Sequence, residues 1–251
     1  MDLEPTRPER LARLVREAGS VVALTGAGVS VPSGIPDFRS PGTGLWQKVD
    51  PMEVAHIDAF LSDPARFWEF YAERFATLRD REPNRAHGAL AELERRGHLD
   101  AVITQNVDML HRKAGTQTLI EVHGSIEHSD CLACEEQFGL DEVAGRREVD
   151  PQRVPRCDCG EPLKPGVVLF GELLPAAALA RAQELAERAD LLLCVGSSLE
   201  VYPVAQLPFI TRASGGRVAL VTRSPTPADQ LAEVKLDGDV VDELDALLAA
   251  L

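Results

Sequence analysis

The sequence VVALTGAGVS, residues 21–30, joins a continuously apolar run to a turn that contains two glycines. A run without polar alternation is typical of a parallel strand that is covered on both faces. Glycines directly after a first strand let the backbone approach a phosphate group, which then lies at the start of a helix. The common fingerprint has a third glycine at the position of Val31. Taken alone, the motif is therefore equally compatible with a tight strand-to-helix turn.

Further apolar runs alternate with helical segments along the chain. The other predicted strands are Ala101–Thr104, Leu119–Val122, Val167–Phe170, Leu191–Val195 and Arg217–Val221. The predicted helices are Glu9–Ala18, Ala86–Arg96, Val107–Lys113, Ala177–Ala189 and Asp239–Leu251. This alternation predicts an α/β fold with a doubly wound parallel sheet of the Rossmann type.

Composition limits the classes of function. The 251 residues carry 26 basic and 40 acidic side chains, a net charge of −14 that repels nucleic acids and anionic membranes and attracts basic peptides. Solubility alone also explains such a charge. No apolar run reaches the ~18–20 residues of a membrane span, and the polar N-terminus lacks the pattern of a secretory signal. We therefore expect a cytoplasmic protein without direct contact to nucleic acid or membrane.

Four of the five cysteines form two pairs, Cys131-x-x-Cys134 and Cys157-x-Cys159, on either side of residues 135–156. Clustered cysteines in a cytosolic chain favour a metal over disulfides, and two thiolate pairs predict one tetrahedral structural zinc site. The second pair has one intervening residue rather than two, which still allows four S–Zn bonds. Cys194 lies within an apolar run and is predicted to be a core residue.

Two segments interrupt the alternation of strands and helices. Residues 31–83 contain loops and a helix, and residues 124–165 contain the paired cysteines without strong periodicity. We interpret them as a helical module with a cofactor loop and a zinc-binding module, which together form a small domain over the carboxyl edge of the sheet. The Rossmann-type domain then comprises residues 1–30, 84–123 and 166–251.

Polar side chains follow two predicted strands at their carboxyl ends. Gln105, Asn106 and Asp108 follow one strand, and His123 follows the next. In an open parallel sheet these ends form the ligand crevice. Asn106 and Asp108 are also suited to cap a helix, but three polar groups in four residues exceed what a cap needs. A histidine in this place is suited to act as a base at neutral pH.

Together and in this order, the motifs resemble those of the sirtuin family over nearly the whole chain. They are GAGVS at 26–30, GIPDFR at 34–39, TQNVD at 104–108, HG at 123–124, the cysteine pairs, KPGVVLFGE at 164–172 and GSSLEVYP at 196–203. The resemblance is to the bacterial type and implies an NAD-dependent lysine deacylase that acts on acyl-lysine proteins or peptides. Its expected products are nicotinamide, free lysine and O-acyl-ADP-ribose.

The resemblance also implies roles for single residues, with His123 as the general base. The residues expected to bind NAD are Gly26, Ala27, Gly28, Ser30, Asp37, Phe38, Arg39, Gln105, Asn106, Asp108, Ser197, Ser198 and Thr222. Thr222 stands where the family usually has asparagine, which puts cofactor affinity in question but not the chemistry. The residues expected to hold the substrate backbone as an added strand are Val168, Phe170, Gly171, Glu200 and Val201.

The segment Ala65–Arg79 bears on the acyl group. At about 100° per residue, Arg74 falls within the apolar arc of a helix, with Tyr71 one turn away on the same face. Such an arginine requires a partner or a cavity unless it snorkels to solvent. The pair Tyr71-x-x-Arg74 resembles that of sirtuins that prefer succinyl and malonyl groups, whereas the loop Phe38–Trp46 resembles the deacetylase type. Both specificities stay open, with Tyr71 and Arg74 as candidate acyl-binding residues.

Two other functions use some of the same features. A mono-ADP-ribosyltransferase or NAD hydrolase would share the cofactor site but not the peptide cleft. An NAD-sensing binding module would have no need for a base. The cysteine pairs and residues 167–172 favour deacylation over the first alternative, and His123 disfavours the second.

Overall fold

A parallel sheet of six strands forms the centre of the computed structural model, which describes residues 4–37, 42, 44 and 49–251. The strands described are β1 (Val21–Thr25), β2 (Ala101–Thr104), β3 (Leu119–Glu121), β4 (Gly124–Cys131), β5 (Gln137–Gly139), β6 (Leu163–Val167), β7 (Leu191–Val195), β8 (Arg217–Val221) and β9 (Ala232–Leu236). The order in the large sheet is β3-β2-β1-β7-β8-β9, with all neighbours parallel. The order reverses between β1 and β7, which is the switch point where a doubly wound sheet opens a ligand crevice.

Helices cover both faces of this sheet. The helices described are α1 (Arg7–Glu17), α2 (Pro51–Val54), α3 (Ile57–Ser62), α4 (Pro64–Arg79), α5 (Arg85–Arg95), α6 (Leu110–Lys113), α7 (Leu140–Val149), α8 (Ala176–Arg188), α9 (Leu207–Ala213) and α10 (Val240–Ala250). Alternate residues of β1 belong to different cores: Val21 packs with α1, α5 and α10, and Val22 packs with α8 and α9. The predicted fold class, a doubly wound α/β sheet, is confirmed.

A further core lies outside the large sheet and contains residues of both inserted segments. Phe67 and Trp68 of α4 pack in one cluster with Ile126 of β4 and Leu163 of β6. The Trp68 indole also donates a hydrogen bond to the Leu163 carbonyl at 2.9 Å. This shared core supports our proposal that the two insertions form one small domain, although β6 runs across the predicted boundary at residue 165.

Residues 124–165 are more regular than predicted. β4 pairs antiparallel with β5 and β6 in a three-stranded sheet, and α7 follows β5. The predicted strand Val167–Phe170 is wrong in place, because β6 ends at Val167 and belongs to this antiparallel sheet. The apolar run continues past the strand because Leu169 is buried in the core that contains Phe67. Phe170 forms an isolated bridge with His56 and is not part of a strand.

Two further differences concern β9 and α6. β9 is not among the predicted strands, because it lies at the edge of the sheet, where only Val234 and Leu236 are buried, and its residues form no apolar run. α6 begins at Leu110 rather than at Val107, because Met109 has a φ of 66° and the Asp108 carboxylate accepts the Leu110 amide at 3.0 Å. The other predicted strands and helices agree with the structure to within two residues at each end.

The described parts of the chain contain no helix with the length and apolar character needed to span a membrane. Two predicted cofactor-binding residues, Phe38 and Arg39, lie outside the described residues. Most of the loop that continues to Trp46 also lies outside them.

Candidate active site

The carboxyl ends of three neighbouring strands meet at the switch point. Gln105, which follows β2, donates from Nε2 to the hydroxyl of Ser197, which follows β7, at 2.9 Å. The Gln105 backbone amide donates to the carbonyl of Thr25, the last residue of β1, at 3.0 Å. The structure therefore brings predicted site residues from separate strands into one crevice, as the argument from parallel strands predicts.

The glycine-rich turn after β1 packs directly against the turn after β7. The Gly28 amide donates to the Gly196 carbonyl at 2.8 Å. A Cβ atom on Gly28 would lie 2.7 Å from that oxygen, and one on Gly196, whose φ is 60°, would clash with the Val29 amide. Glycine is therefore needed here for the contact between two loops. This contact is a second reason for glycine here, beside the close approach to a phosphate that the sequence predicts.

Ser30 links two of the predicted cofactor-binding side chains below the crevice. Its hydroxyl donates to Oδ2 of Asp108 at 2.6 Å and accepts from Nδ2 of Asn106 at 3.1 Å. Asn106 Nδ2 also donates to the Gly26 carbonyl at 3.2 Å. Ser30 is 1% exposed and Asp108 is 5% exposed, so the hydrogen bond between them is shielded from water. Asp108 caps α6 through Oδ1 and joins this network through Oδ2. A capping role and a role in the site are therefore compatible.

Two buried histidines support this network, and the sequence analysis did not identify them. Nδ1 of His87 accepts the Asn84 amide at 3.3 Å, so the ring proton is on Nε2, which faces the Ser30 hydroxyl at 3.4 Å. Nε2 of His111 lies 2.9 Å from the Thr25 hydroxyl. Burial lowers the pKa of His87 to about 4 and that of His111 to about 3. Both rings are therefore neutral near pH 7.

The signal for His87 was present in the sequence. His87 is the third residue of α5 after the cap Asn84, and it falls on the helix face that carries the buried Leu90. A histidine on an apolar helix face is usually interpreted as part of the core, so its polar role depended on the neighbours that the fold supplies.

His123 follows β3 with its proton on a defined ring nitrogen. Nδ1 lies 2.9 Å from the carbonyl oxygen of Gln105. A carbonyl oxygen only accepts, so Nδ1 carries the proton and the lone pair is on Nε2. Burial lowers the pKa of His123 against the opposing effect of this hydrogen bond. The geometry therefore provides a neutral imidazole that is ready to accept a proton at Nε2.

The four paired cysteines converge in the small domain. Their Sγ atoms all lie within 4.8 Å of one another. Individual Sγ–Sγ distances are 3.5 Å for Cys131–Cys159, 3.5 Å for Cys134–Cys157 and 3.9 Å for Cys134–Cys159. A tetrahedral site with Zn–S bonds of about 2.3 Å requires S–S distances of about 3.8 Å. The residues therefore fit a structural zinc ion with four thiolate ligands.

The short second cysteine pair is accommodated by a tight turn. The Gly160 amide donates to the Cys157 carbonyl at 2.9 Å, and Gly160 has a φ of 95°. At the first pair, the Glu135 amide donates to the Cys131 carbonyl at 2.9 Å. Cys194, which was predicted to be a core residue, is 2% exposed in β7, and burial raises the pKa of its thiol.

Tyr71 and Arg74 lie near each other on α4, in different environments. Tyr71 is 7% exposed, and its ring stacks on Phe67 at 4.6 Å between centroids. Burial raises the pKa of Tyr71 to about 12, although the Arg74 guanidinium opposes the shift. Burial also lowers the pKa of the half-buried Arg74, because part of its charge is removed from water. Such a desolvated guanidinium gains from a carboxylate neighbour.

The other predicted site residues are more accessible. Those of intermediate exposure are Ala27, Asp37, Val168, Ser198, Val201 and Thr222, and those that are exposed are Phe170, Gly171 and Glu200. The Val168 amide donates to the His123 carbonyl at 2.8 Å, which places the predicted substrate segment beside the candidate base. The Thr222 amide donates to the Leu236 carbonyl of β9 at 2.9 Å. The ligand contacts of these residues stay predictions.

The same stretch of chain, from the glycine-rich turn to the loop after β7, matches a family model. The model is that of the Sir2 family, and it matches residues 26–203. The chain belongs to the Sir2 family. The resemblance of its motifs to sirtuins is thereby confirmed.

Relatives of this Sir2 protein match over most of its length. The chain is 44% identical over 230 residues to the NAD-dependent protein deacetylase of Thermotoga maritima, and the alignment covers 91% of this chain and 92% of the relative. It is 45% identical over 234 residues to the NAD-dependent protein deacylase 2 of Archaeoglobus fulgidus, with 91% and 90% covered. A solved Sir2 structure with a peptide and NAD+ has a TM-score of 0.89 and 41% identity, with 99% and 98% covered.

Proposed function

We propose that this Sir2 protein is an NAD-dependent protein lysine deacylase. It removes acyl groups from lysine side chains of proteins or peptides and yields nicotinamide, free lysine and O-acyl-ADP-ribose. The observation that carries this function is the crevice at the carboxyl ends of β2 and β3. There Asn106 and Asp108 share a hydrogen-bonded network with Ser30, and His123, bonded to the Gln105 carbonyl, has its lone pair on Nε2. Relatives named for NAD-dependent deacetylation and deacylation support it.

Three polar groups of the crevice each have a task in this reaction. When bound, NAD would supply two things: the nicotinamide leaving group, and the ribose carbon to which the acyl oxygen adds. Asn106 Nδ2 donates to Gly26 and Ser30, which fixes the orientation of the amide and leaves Oδ1 as the atom that would bind the nicotinamide carboxamide. The desolvated Asp108 carboxylate stabilises positive charge that develops at the ribose. His123 Nε2 takes the proton of a ribose hydroxyl.

The zinc ion is assigned a structural role only. Its four candidate ligands are all cysteines, which leaves no open position for a substrate or for water. It would hold the end of β4 and the turn that precedes β6 together, and would thereby support the neighbouring segment that includes Val168.

Product analysis tests the function against its enzymatic alternatives. The purified enzyme is incubated with NAD and an acetyl-lysine peptide, and nicotinamide, deacylated peptide and O-acetyl-ADP-ribose are quantified. Equal amounts of the three products, and none without NAD, are expected. Nicotinamide release that is independent of the peptide would instead identify an NAD hydrolase, and transfer of ADP-ribose to protein would identify a transferase.

We further propose a cytoplasmic location and no direct binding to nucleic acid or membranes. The net charge of −14 supports both exclusions, because it repels anionic polymers and surfaces. The same charge favours substrates with basic flanking residues.

The dependence of activity on pH follows from His123. Its neutral form is the base, and burial lowers its pKa, so protonation inactivates the enzyme only below the ordinary histidine value of about 6.5. The acid limb of kcat/KM for the peptide is therefore expected below pH 6.5 in steady-state kinetics from pH 5 to pH 9. His87 and His111 do not contribute, because they are neutral over this range. An acid limb with a midpoint above 6.5 would contradict the assignment.

We also propose that Tyr71 and Arg74 extend the activity to succinyl and malonyl groups. The two residues share the apolar face of α4, where a partly desolvated guanidinium gains from the carboxylate at the end of such an acyl chain. Arg74→Met is expected to lower kcat/KM for a succinyl-lysine peptide about tenfold or more, and to spare the acetyl-lysine peptide. Wild-type rates on the two peptides are expected to be comparable.

Matched peptides and a matched variant decide this prediction. Arg66→Met removes another arginine of α4, which is exposed and lies 3.5 Å from Glu53, and it is expected to change neither rate. Equal losses on acetyl and succinyl peptides in Arg74→Met would mean that Arg74 supports only the structure of the helix.

A further inference from the structure

A buried lysine lies next to the predicted substrate segment, residues 168–171. Lys164 of β6 is 7% exposed. Its ammonium donates to the carbonyls of Val167 at 2.8 Å and Pro165 at 3.1 Å, and it lies 3.0 Å from Oε2 of Glu172. An ammonium has three N–H donors, so every donor has a partner. The Lys164 ammonium is therefore held in one position, because moving away from any of the three partners would leave a buried N–H donor without a hydrogen bond.

Glu172 closes the turn that contains the predicted substrate residues. Its Oε2 accepts the Leu169 amide at 2.8 Å, and its own amide donates to the Leu169 carbonyl at 3.1 Å. Gly171, within the turn, has a φ of 87°, and a Cβ there would lie 2.6 Å from the His56 ring. The carboxylate of Glu172 thus connects the buried Lys164 to the shape of this turn.

Backbone contacts connect the same turn to both sides of the site. The Val168 amide donates to the carbonyl of His123, the candidate base, at 2.8 Å. Phe170 donates to the Ala55 carbonyl and accepts from the Ile57 amide, both at 2.9 Å. The segment therefore lies between the catalytic crevice and the helical module. The ion pair of Lys164 with Glu172 stabilises its conformation.

We propose that Lys164 and Glu172 are positioning residues for the acyl-lysine substrate. Together they hold Val168, Phe170 and Gly171 in the shape in which this segment pairs with the peptide backbone. The inference rests on the proposed function. The side-chain hydrogen bonds and the ion pair of these two residues lie within β6 and the turn, so their effect falls on peptide binding rather than on cofactor binding.

Kinetics with each substrate varied in turn test this role. Lys164→Met is expected to raise the KM for an acetyl-lysine peptide about tenfold or more, the factor that corresponds to a charged hydrogen bond. The KM for NAD and kcat are expected to stay within about twofold. Lys164→Arg, which keeps the charge and donors, is expected to restore most of the peptide affinity. A purely structural role would instead lower the melting temperature and kcat and leave the peptide KM unchanged.

Two more variants keep the test decisive. Glu172→Gln keeps an oxygen for the Leu169 amide but removes the charge opposite Lys164. This variant serves as the test if Lys164→Met does not fold. A rise in peptide KM of about threefold or more is expected. Arg217→Met is the control, since Arg217 pairs with Glu17 at 3.2 Å at the other end of the sheet. It is expected to change no kinetic constant.

The outcomes separate this inference from the proposed function. A wild-type enzyme that cleaves no acyl-lysine peptide with NAD would refute the proposed function and this inference with it. An active wild type, with an unchanged peptide KM in the Lys164 and Glu172 variants, would refute only the role of the pair. An equal rise in the KM values for NAD and peptide would also overturn it.

Discussion

His123→Ala is expected to reduce kcat for deacylation by about 10²–10⁴-fold, the usual contribution of a positioned general base. The reason is the proton arrangement of the ring. The Gln105 carbonyl holds the proton on Nδ1, so Nε2 is the atom that accepts a proton from the ribose hydroxyl. Single-turnover and steady-state assays with an acetyl-lysine peptide measure the loss. Because the ring is only partly buried, folding and NAD binding are expected to remain largely intact.

The control for this variant is another histidine. His98 lies in the turn between α5 and β2, at the amino end of the sheet, and His98→Ala is expected to retain wild-type activity. Calorimetry measures the affinity of His123→Ala for NAD. Unchanged affinity means that only the base is lost, whereas weakened affinity means that the cofactor site itself is damaged. Near-normal turnover in His123→Ala would remove His123 from the mechanism.

Loss of any zinc ligand is expected to unfold the small domain. Structural zinc sites contribute apparent free energies of about 10–16 kcal/mol, as large as the ~5–15 kcal/mol that stabilises a whole domain. Cys157 is buried, and its Sγ lies 3.5 Å from that of Cys134. Cys157→Ala is therefore expected to lose the metal and deacylase activity. Metal analysis is expected to find one zinc per chain in the wild type and none in the variant.

Cys194 provides the matched control for the zinc ligands. It is also buried, but it lies in β7 within the core of the large sheet. Cys194→Ala is expected to retain one zinc per chain and to lose only the stability that follows from a small cavity. A wild-type protein without zinc, or an unchanged zinc content in Cys157→Ala, would contradict the assignment.

Local sequence patterns were sufficient to predict most of the large sheet. β1 and β7 are buried at every position, so each appears in the sequence as an unbroken apolar run. β9 was missed because an edge strand with exposed residues carries no such signal. β4 and β5 were missed because their residues lack the regular apolar periodicity that predicts strands. They lie instead beside the cysteine cluster and pack in the core shared with α4.

The candidate site was predictable to the extent that it depends on the ends of parallel strands. Gln105, Asn106, His123 and Ser197 each follow a strand, and strands in one parallel sheet end at the same edge. This rule places residues but not protons or contacts. It therefore predicts His123 as a candidate base and does not predict which ring nitrogen carries the lone pair.

The sequence by itself determined the fold class, the crevice and the zinc ligands, because these follow from short-range periodicity and residue spacing. Only the tertiary structure showed that His87 supports Ser30 and Asp108, and that Lys164 is paired with Glu172. Each of these interactions includes a polar group that burial has removed from water. Their energies depend on distances of about 3 Å, and such distances are set by how separate segments pack rather than by the order of residues along the chain.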